Sequence, residues 1–323
     1  MKVFVTGGTR VLGQATVSRL IERGHTVKGL IHSAESEEVL RRLGAEPVHG
    51  DLFDPDSLRK AMGDADAVLH LATRIPPTNK MKQAAAWAEN DRIRTEGTRN
   101  LVDVALASNV QAFVFPGVTL LYPDRGDAWI DAGATKPAPS EPTVTSLTSE
   151  AEVARFAATG RRGVTLRLGP LYGPTSPQTQ EILAYARKHI AAIFGPQDAY
   201  FSSIWVDDAA AAISTAMERA PSGVYDIVDD EPLTRREFNT AVAEAVGKKR
   251  LWQPPAFLAR MFAGATLYEM LGRSQRVSNR RFKEATGWTP SVPNARIGWH
   301  LLGSQTKSVS DTMKTTPAGT SSF

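Results

Sequence analysis

The chain has 323 residues. This length exceeds the usual size of a domain with a single hydrophobic core, so we expect one large domain with a smaller lobe, or two domains. Apolar residues make up 42% of the chain and charged residues 22%, as in ordinary globular proteins. No apolar run approaches the roughly 18 residues of a membrane span, and the N-terminus lacks the pattern of a signal peptide. We therefore predict a soluble, cytoplasmic protein that does not bind a membrane.

Several functional classes are excluded by composition. The absence of cysteine excludes disulfides, thiolate catalysis and cysteine-ligated metal sites. The net charge is +4, but the basic clusters at 248–250 and 280–281 lack interleaved aromatic residues, so we interpret them as solvated faces and predict no nucleic-acid binding. The histidines show no ligand-like spacing with carboxylates, and no Gly-x-Ser-x-Gly turn occurs. We predict neither a metal site nor a serine hydrolase.

The first thirty residues follow the pattern of strand, glycine-rich turn, helix and strand. A β-branched and aromatic run at 3–5 leads into Thr6-Gly7-Gly8, apolar residues then recur at helical spacing, and a second strand-like run covers 26–31. Glycines permit a tight turn and close approach of the backbone to a pyrophosphate, which the N-terminus of the following helix attracts. The pattern predicts dinucleotide binding at this turn.

Strand and helix signals keep alternating after this unit. We predict a helix over 36–43, a strand over 46–49, a helix from Asp54 to Met62, and a buried strand over 67–72. Such alternation is typical of the α/β class. We therefore predict a Rossmann-type, doubly wound parallel sheet with a smaller C-terminal substrate lobe.

The C-terminal half carries further helix and strand signals. We predict a helix over 181–193, a late parallel strand over 223–228, a helix from Thr234 to Ala245, an apolar helix over 257–271 and a last helix within 279–288. Phe and Met at helical spacing in 257–271 favour core packing over a lid or an oligomer face.

The predicted domain boundaries follow from these elements. A dinucleotide-binding domain covers 1–174 and is completed by about 204–230, and a substrate lobe covers 175–203 and 231–302. The Ser/Thr/Lys-rich stretch over 303–323 has almost no apolar residues, so we predict a disordered tail.

Several motifs follow one another along most of the chain: Thr6-Gly7-Gly8 with Gly13, Gly50-Asp51-Leu52, His70-Leu71-Ala72, and the segments 96–101, 166–174 and 205–209. In this order they resemble the extended short-chain dehydrogenases/reductases, the group that contains the nucleotide-sugar epimerases and dehydratases. The resemblance implies a small-molecule substrate and a homodimer formed through the helices near Glu96 and Glu152. It also implies a nicotinamide dinucleotide held by Gly7, Thr9, Arg10, Val11, Leu12, Gly13, His32, Ser33, Asp51, Leu52, Leu71, Ala72 and Thr73.

The preferred form of the cofactor is indicated by three of these residues. Arg10 stands where the family has its middle glycine, and His32 and Ser33 stand where an NAD-specific site has an Asp or Glu for the ribose hydroxyls. A guanidinium beside these side chains favours a phosphate over a free diol, so we predict NADP(H) in preference to NAD(H). The alternative is that Arg10 is merely exposed.

The catalytic pair of the family is absent. Its members use a tyrosine that carries the hydroxyl proton, a lysine four residues later that lowers the tyrosine pKa, and a serine or threonine that holds the substrate oxygen. Val144 and Thr148 occupy the first two places, and no tyrosine of the chain is followed four residues later by lysine. Thr119 keeps a hydroxyl near the third place. We predict Tyr122, which follows the same strand, as the substitute acid, together with Thr119.

Other polar residues near these places are further candidates. Asp124 and Arg167 lie near Tyr122 or on a neighbouring strand. We interpret His70 as a hydrogen-bonded structural histidine and Arg94 as an exposed helix residue, with a functional role as the alternative for each.

These features lead to one functional prediction and two alternatives. Because hydride transfer requires chiefly a cofactor and alignment, we predict an oxidoreductase, epimerase or dehydratase with a non-standard site that acts on a small or medium polar metabolite. One alternative is a non-catalytic dinucleotide-binding sensor or partner protein. The other is a redox-neutral cyclase or eliminase on the same fold.

Overall fold

The computed structural model describes residues 1–304. One parallel sheet of seven strands forms its centre. The described residues contain thirteen strands in total, of which the other six form short pairs outside this sheet. In chain order they are β1 Lys2–Thr6, β2 Thr26–Ile31, β3 Glu46–His49, β4 Ala67–His70, β5 Ala112–Val118, β6 Trp129–Ile130, β7 Arg162–Leu168, β8 Leu171–Tyr172, β9 Tyr200–Phe201, β10 Ile204–Trp205, β11 Gly223–Ile227, β12 Leu233–Thr234 and β13 Arg276–Val277.

The strand order confirms the predicted fold class. The central sheet runs β11-β7-β5-β4-β1-β2-β3, and every neighbouring pair in it is parallel. The chain winds outwards from β1 to β3 and then returns to build the other half from β4. In such sheets, ligands bind at the carboxyl ends of the strands where the direction of winding reverses. This place lies between β1 and β4.

Helices cover both faces of the sheet. A π-helical turn, Ile93–Gly97, joins α4 to α5, and residues 295–304 are also helical. The α-helices are α1 Val11–Glu22, α2 Ala34–Arg42, α3 Pro55–Met62, α4 Ala88–Arg92, α5 Thr98–Leu106, α6 Val144–Ala157, α7 Pro177–Arg187, α8 Val206–Arg219, α9 Arg235–Ala245, α10 Ala256–Ala263, α11 Ala265–Gly272 and α12 Arg280–Thr286.

Alternate residues of β1 supply two separate cores. Val5 packs with Val17 of α1 in the core that also contains α8, whereas Phe4 packs with Leu101 of α5 and Phe156 of α6. Successive side chains of a strand point to opposite faces, and here both faces are covered, so the strand carries apolar residues at successive positions.

The C-terminal lobe has its own aromatic core. Tyr172, Trp205, Phe238 and Trp299 are buried together, with the rings of Tyr172 and Trp299 stacked at 6.0 Å between centroids. Short strand pairs, β8 with β10, β9 with β12 and β6 with β13, lie beside the main sheet.

Two predicted helices differ from the structure. α7 covers Pro177–Arg187 rather than 181–193. It begins at Pro177 because Ser176 accepts a hydrogen bond from the Thr179 N–H and proline suits the first helical position. The predicted apolar helix over 257–271 is broken at Gly264, which lies between α10 and α11. The φ of Gly264 is 84°, which is not a helical value, so α10 ends there.

The prediction that this apolar segment fills a core is confirmed for Leu267 and Met270 of α11, which are buried, and is wrong for three large side chains of α10. Phe257, Met261 and Phe262 are 69%, 62% and 72% exposed. The predicted tail over 303–323 begins too early, since Gly303 and Ser304 complete a helix. The rest of that segment, 305–323, lies outside the described residues.

Candidate active site

The glycine-rich turn between β1 and α1 is packed so closely that side chains are excluded. A Cβ on Gly7, whose φ is +74°, would lie 2.6 Å from the Ala72 nitrogen, and a Cβ on Gly13 would lie 2.1 Å from the Gly7 oxygen. Arg10 precedes α1 without capping it by a side-chain hydrogen bond. The first turn of α1 therefore presents its N–H groups at the switch point of the sheet, as a pyrophosphate requires. These residues fit a dinucleotide.

Arg10 and His32 are exposed, and Ser33 is half-buried. The Ser33 hydroxyl accepts from the Ser36 N–H at 3.3 Å and so caps α2. Between β2 and α2 the chain has no carboxylate, and the nearest ones, at Glu35 and Glu37, follow in the first turn of α2. The predicted role of Arg10, His32 and Ser33 in binding the cofactor stays a prediction.

The turn after β3 packs against the π-helical turn. Asp51 accepts a hydrogen bond from the Phe53 N–H at 2.9 Å, which orders the turn. Leu52 packs so tightly on Gly97 that a Cβ there would lie 2.6 Å from a Leu52 methyl group. The guanidinium carbon of Arg92 lies 3.7 Å from the Phe53 ring centroid. Leu71 is buried at the end of β4, and Ala72 and Thr73 are half-buried.

His70 ends β4 and is enclosed. Its ring nitrogens lie 2.7 Å from the Thr6 hydroxyl and 3.1 Å from the Thr98 hydroxyl, and 1% of the residue is exposed. Burial lowers the pKa of His70 to about 4, and the nearby Arg94 charge adds to this effect. His70 is therefore neutral near pH 7, and its contacts agree with the structural interpretation.

The places of the absent catalytic pair lie on α6. Val144, the first residue of the helix, is 48% exposed, and Thr148 is half-buried one turn later. Thr119 follows β5 and is buried. The surface that carries an acid and a base in the resembled family therefore has neither at Val144 or Thr148.

Tyr122, the predicted acid, lies in a buried charged network. It is 0% exposed, donates to Asp226 at 2.8 Å and accepts from Arg167 at 2.8 Å. Both oxygens of Glu150 bind Arg167, at 2.9 and 2.6 Å. Burial, together with the Asp226 charge, raises the pKa of Tyr122 well above its usual value. This geometry favours a structural role, and the predicted catalytic role of Tyr122 stays untested.

Asp124 is likewise engaged by the backbone. Its two carboxylate oxygens accept from the N–H groups of Gly126 and Ser274, each at 2.9 Å. Arg273, next to Ser274, donates to the Tyr122 carbonyl at 3.0 Å. These hydrogen bonds connect the loop after β5 to the C-terminal lobe and indicate a structural role for Asp124.

Arg94 differs from its predicted exposed position, because it is only 5% exposed. It lies in the π-helical turn with its guanidinium carbon 6.0 Å from the Phe115 ring centroid. Its Nε and Nη1 atoms make no hydrogen bond within residues 1–304. The same holds for Nδ2 of Asn90 and Oγ of Ser146, two residues that no local sequence pattern singles out. The one relevant feature of the sequence is that Asn90 lies four residues before Arg94, a spacing that places two side chains on the same face of a helix.

Two further observations concern the described residues as a whole. Within residues 1–304, His, Asp and Glu side chains form no group of three or more that is arranged to hold a metal ion. Among the helices of the same residues, none has the length and hydrophobicity to span a bilayer.

Comparison with models of known protein families identifies the family of the chain. Residues 3–228 match the NAD dependent epimerase/dehydratase family. The chain belongs to this family. The predicted resemblance is therefore confirmed, and the glycine turn described above lies within the matched residues.

Proteins similar to this chain include two reductases. The chain is 28% identical over 311 residues to a 3-diazoavenalumate denitrifying reductase of a Streptomyces species, covering 92% of this chain and 99% of the relative. It is 28% identical to a 2-alkyl-3-oxoalkanoate reductase of Stenotrophomonas maltophilia, covering 82% of each. The prediction of an enzyme of the oxidoreductase or epimerase type is thereby confirmed.

Solved structures show the same fold. A human epimerase family protein with NADPH superposes with a TM-score of 0.81 at 23% identity, covering 94% of this chain and 99% of that one. A UDP-glucose 4-epimerase of Thermotoga maritima with UDP-glucose superposes with a TM-score of 0.78 at 20% identity, covering 96% and 99%.

Proposed function

We propose that the chain is an NADP(H)-dependent reductase of a carbonyl group in a small or medium polar metabolite. The observation that carries the proposal is the closely packed turn at Gly7 and Gly13, which leaves the start of α1 open to a pyrophosphate. The reductase names of similar proteins support the direction of the reaction. Two of those names, an avenalumate and an oxoalkanoate, describe carboxylate substrates of the relatives.

The preference for NADP(H) rests on the ends of β1 and β2. Arg10 is exposed at the start of α1, and the segment between β2 and α2 offers His32 and Ser33 instead of a carboxylate. A guanidinium binds a phosphate with two charge-assisted hydrogen bonds, whereas a carboxylate is needed to accept from two ribose hydroxyls. Arg10 and the Ser33 hydroxyl would hold the 2′-phosphate.

The chain's own residues would then position the substrate, and solvent would protonate it. The nicotinamide cofactor, when bound, would supply a hydride for the carbonyl carbon. Since neither Val144 nor Thr148 carries an acidic group, and Val144 is 48% exposed, water would supply the proton to the carbonyl oxygen. Thr119 is the proposed hydroxyl beside the substrate. Alignment of the reactants accounts for catalysis at a reduced rate.

Calorimetric titration of the purified protein with NADPH and with NADH tests the cofactor. NADPH should bind about tenfold more tightly than NADH, and Arg10→Glu should remove this difference by placing a negative charge near the phosphate. Arg42→Glu, the same charge change at the far end of α2, is the control and should leave the difference between the NADPH and NADH affinities unchanged. Equal affinities would contradict the NADP(H) preference, and no binding of either would contradict the reductase proposal.

A non-catalytic dinucleotide sensor is the second candidate, and the replacement of the catalytic pair by Val144 and Thr148 favours it. Loss of NADPH absorbance with a panel of carbonyl compounds separates the two. A reductase oxidises NADPH with at least one of them, whereas a sensor binds NADPH and oxidises none. The homodimer and the cytoplasmic location stay predictions.

A further inference from the structure

Within residues 1–304, the buried guanidinium of Arg94 has no counter-ion bonded to it. Asp91, one turn earlier, accepts from the Thr145 hydroxyl at 2.8 Å, and both oxygens of Glu150 are occupied by Arg167. Neither of these carboxylates forms an ion pair with Arg94 in the described part of the chain. Burial lowers the pKa of Arg94 only to about 10, so the group remains charged near pH 7. The charges of Asp91 and Glu150 oppose this effect and raise the pKa of Arg94 without a hydrogen bond to it. A buried charge without a hydrogen-bonded partner is destabilising.

Asn90 adds a second donor four residues before Arg94. It is 0% exposed, and its Oδ1 accepts from the Arg74 N–H at 3.1 Å, which fixes the amide and leaves Nδ2 without a partner among the described residues. The facing helix α6 adds the hydroxyl of Ser146, which is unpartnered in the same range. This helix is fixed against the π-helical turn, because the Ser149 hydroxyl donates to the Arg94 carbonyl at 2.6 Å. Buried donors without partners cost about 1–3 kcal/mol each.

The position of these donors suits a ligand. Phe115, under the Arg94 guanidinium, belongs to β5, and the ring of His70 at the end of β4 lies 5.9 Å from the Phe115 ring. Arg94 thus lies over the middle of β5 and near His70 at the carboxyl end of β4, the edge of the sheet at which α/β folds bind ligands. A cavity of about 150 Å³ lies nearby and is lined by Asp91 of α4 and by Met81, Trp87, Pro142 and Leu267, whereas Arg94 and Asn90 are not part of its lining.

We propose that Arg94, together with Asn90, binds a carboxylate of the substrate, so that the enzyme selects oxo acids or related carbonyl acids. The inference rests on the proposed reductase function, of which it names the substrate class. A carboxylate neutralises the guanidinium and matches its planar donors, which a neutral carbonyl does not. The pyrophosphate of the cofactor has its own place at the start of α1.

Binding of a small carboxylate tests the inference without turnover. Benzoate and its neutral analogue benzamide are titrated calorimetrically into the full-length protein saturated with NADPH. We expect benzoate to bind, benzamide to bind much more weakly, and Arg94→Met to weaken benzoate binding at least about tenfold. Arg94→Lys should restore part of the affinity. Arg99→Met, an exposed arginine of α5, is the control and should change nothing.

Two further measurements separate a substrate-carboxylate site from a cofactor-phosphate site and from a purely structural arginine. The affinity of Arg94→Met for NADPH should equal that of the unchanged protein, whereas weaker NADPH binding with benzoate binding retained would mean that the cofactor's phosphate is the anion. Arg94→Met should also raise the midpoint of thermal unfolding, since it removes a buried charge without a partner, whereas loss of a structural arginine would lower it. Failure of the unchanged protein to bind benzoate, or equal binding of benzamide, would overturn the inference. Failure to bind NADPH would instead refute the proposed function.

Discussion

The hydroxyl of Tyr122 lies between two charged groups, donating to Asp226 and accepting from Arg167. In Tyr122→Phe, one oxygen of Asp226 and one nitrogen of Arg167 lose their buried partner. We expect the free energy of unfolding to fall by about 2–3 kcal/mol, because each unsatisfied polar group keeps its desolvation cost. Denaturant unfolding measures this change, and the affinity for NADPH should not alter.

Tyr225→Phe is the matched control for this substitution. The Tyr225 hydroxyl donates to a single neutral acceptor, the Pro221 carbonyl, at 3.2 Å, so its removal should cost only about 1 kcal/mol. If Tyr122→Phe instead abolished turnover while leaving stability unchanged, Tyr122 would be the proton donor and the structural interpretation would be wrong.

At the scale of elements, α10 is an apolar helix that does not bury its largest side chains. Phe262 is 72% exposed, whereas Phe238 of α9 is 1% exposed among the aromatic rings of the C-terminal lobe. We expect Phe262→Ala to change the free energy of unfolding by less than about 0.5 kcal/mol, and Phe238→Ala to lower it by about 3–5 kcal/mol. Denaturant unfolding of both variants checks this. A large loss for Phe262→Ala would place that ring in a core or an interface in solution.

The difference between α10 and the predicted helix also shows the limit of periodicity. The spacing of Phe and Met in 257–271 correctly predicts helix, but it does not state what packs against each face. Gly264 interrupts the segment, and nothing in the periodic pattern distinguishes a break there from a continuous helix. The starts of α3 at Pro55 and α9 at Arg235 were predictable, because Asp54 and Thr234 cap them through local hydrogen bonds.

At the scale of the whole molecule, stability should depend on pH through His70. Its pKa is about 4 in the folded protein and near 6.5 when exposed, so the unfolded chain binds a proton first as the pH falls. Stability contributed by neutral His70 is complete above pH 6.5 and is lost between pH 6.5 and about 4, by about 3 kcal/mol in total. Unfolding free energies measured across this range should show the loss.

Comparison with variants isolates this contribution. His70→Gln should flatten the decline towards acid pH, and His300→Gln, at an exposed histidine, should leave it unchanged. Asp226 acts in the opposite direction, because burial raises its pKa to about 7 and so favours the folded state at lower pH. The difference between the unchanged protein and His70→Gln removes the Asp226 contribution. Identical pH profiles for these two proteins would rule out a neutral, buried His70.

The sequence by itself determined the features that depend on neighbours along the chain. The strand, glycine turn and helix at 3–21 predict the fold and the cofactor turn, since backbone freedom and helix capping act over a few residues. The absence of the catalytic pair at Val144 and Thr148 was likewise readable from spacing alone. Only the tertiary structure decided which polar side chains are available. The Tyr122 hydroxyl donates to a carboxylate 104 positions away in the sequence, and Nε and Nη1 of the buried Arg94 have no hydrogen-bond partner within residues 1–304. Burial and partnership arise from packing between distant elements, so no local pattern encodes them.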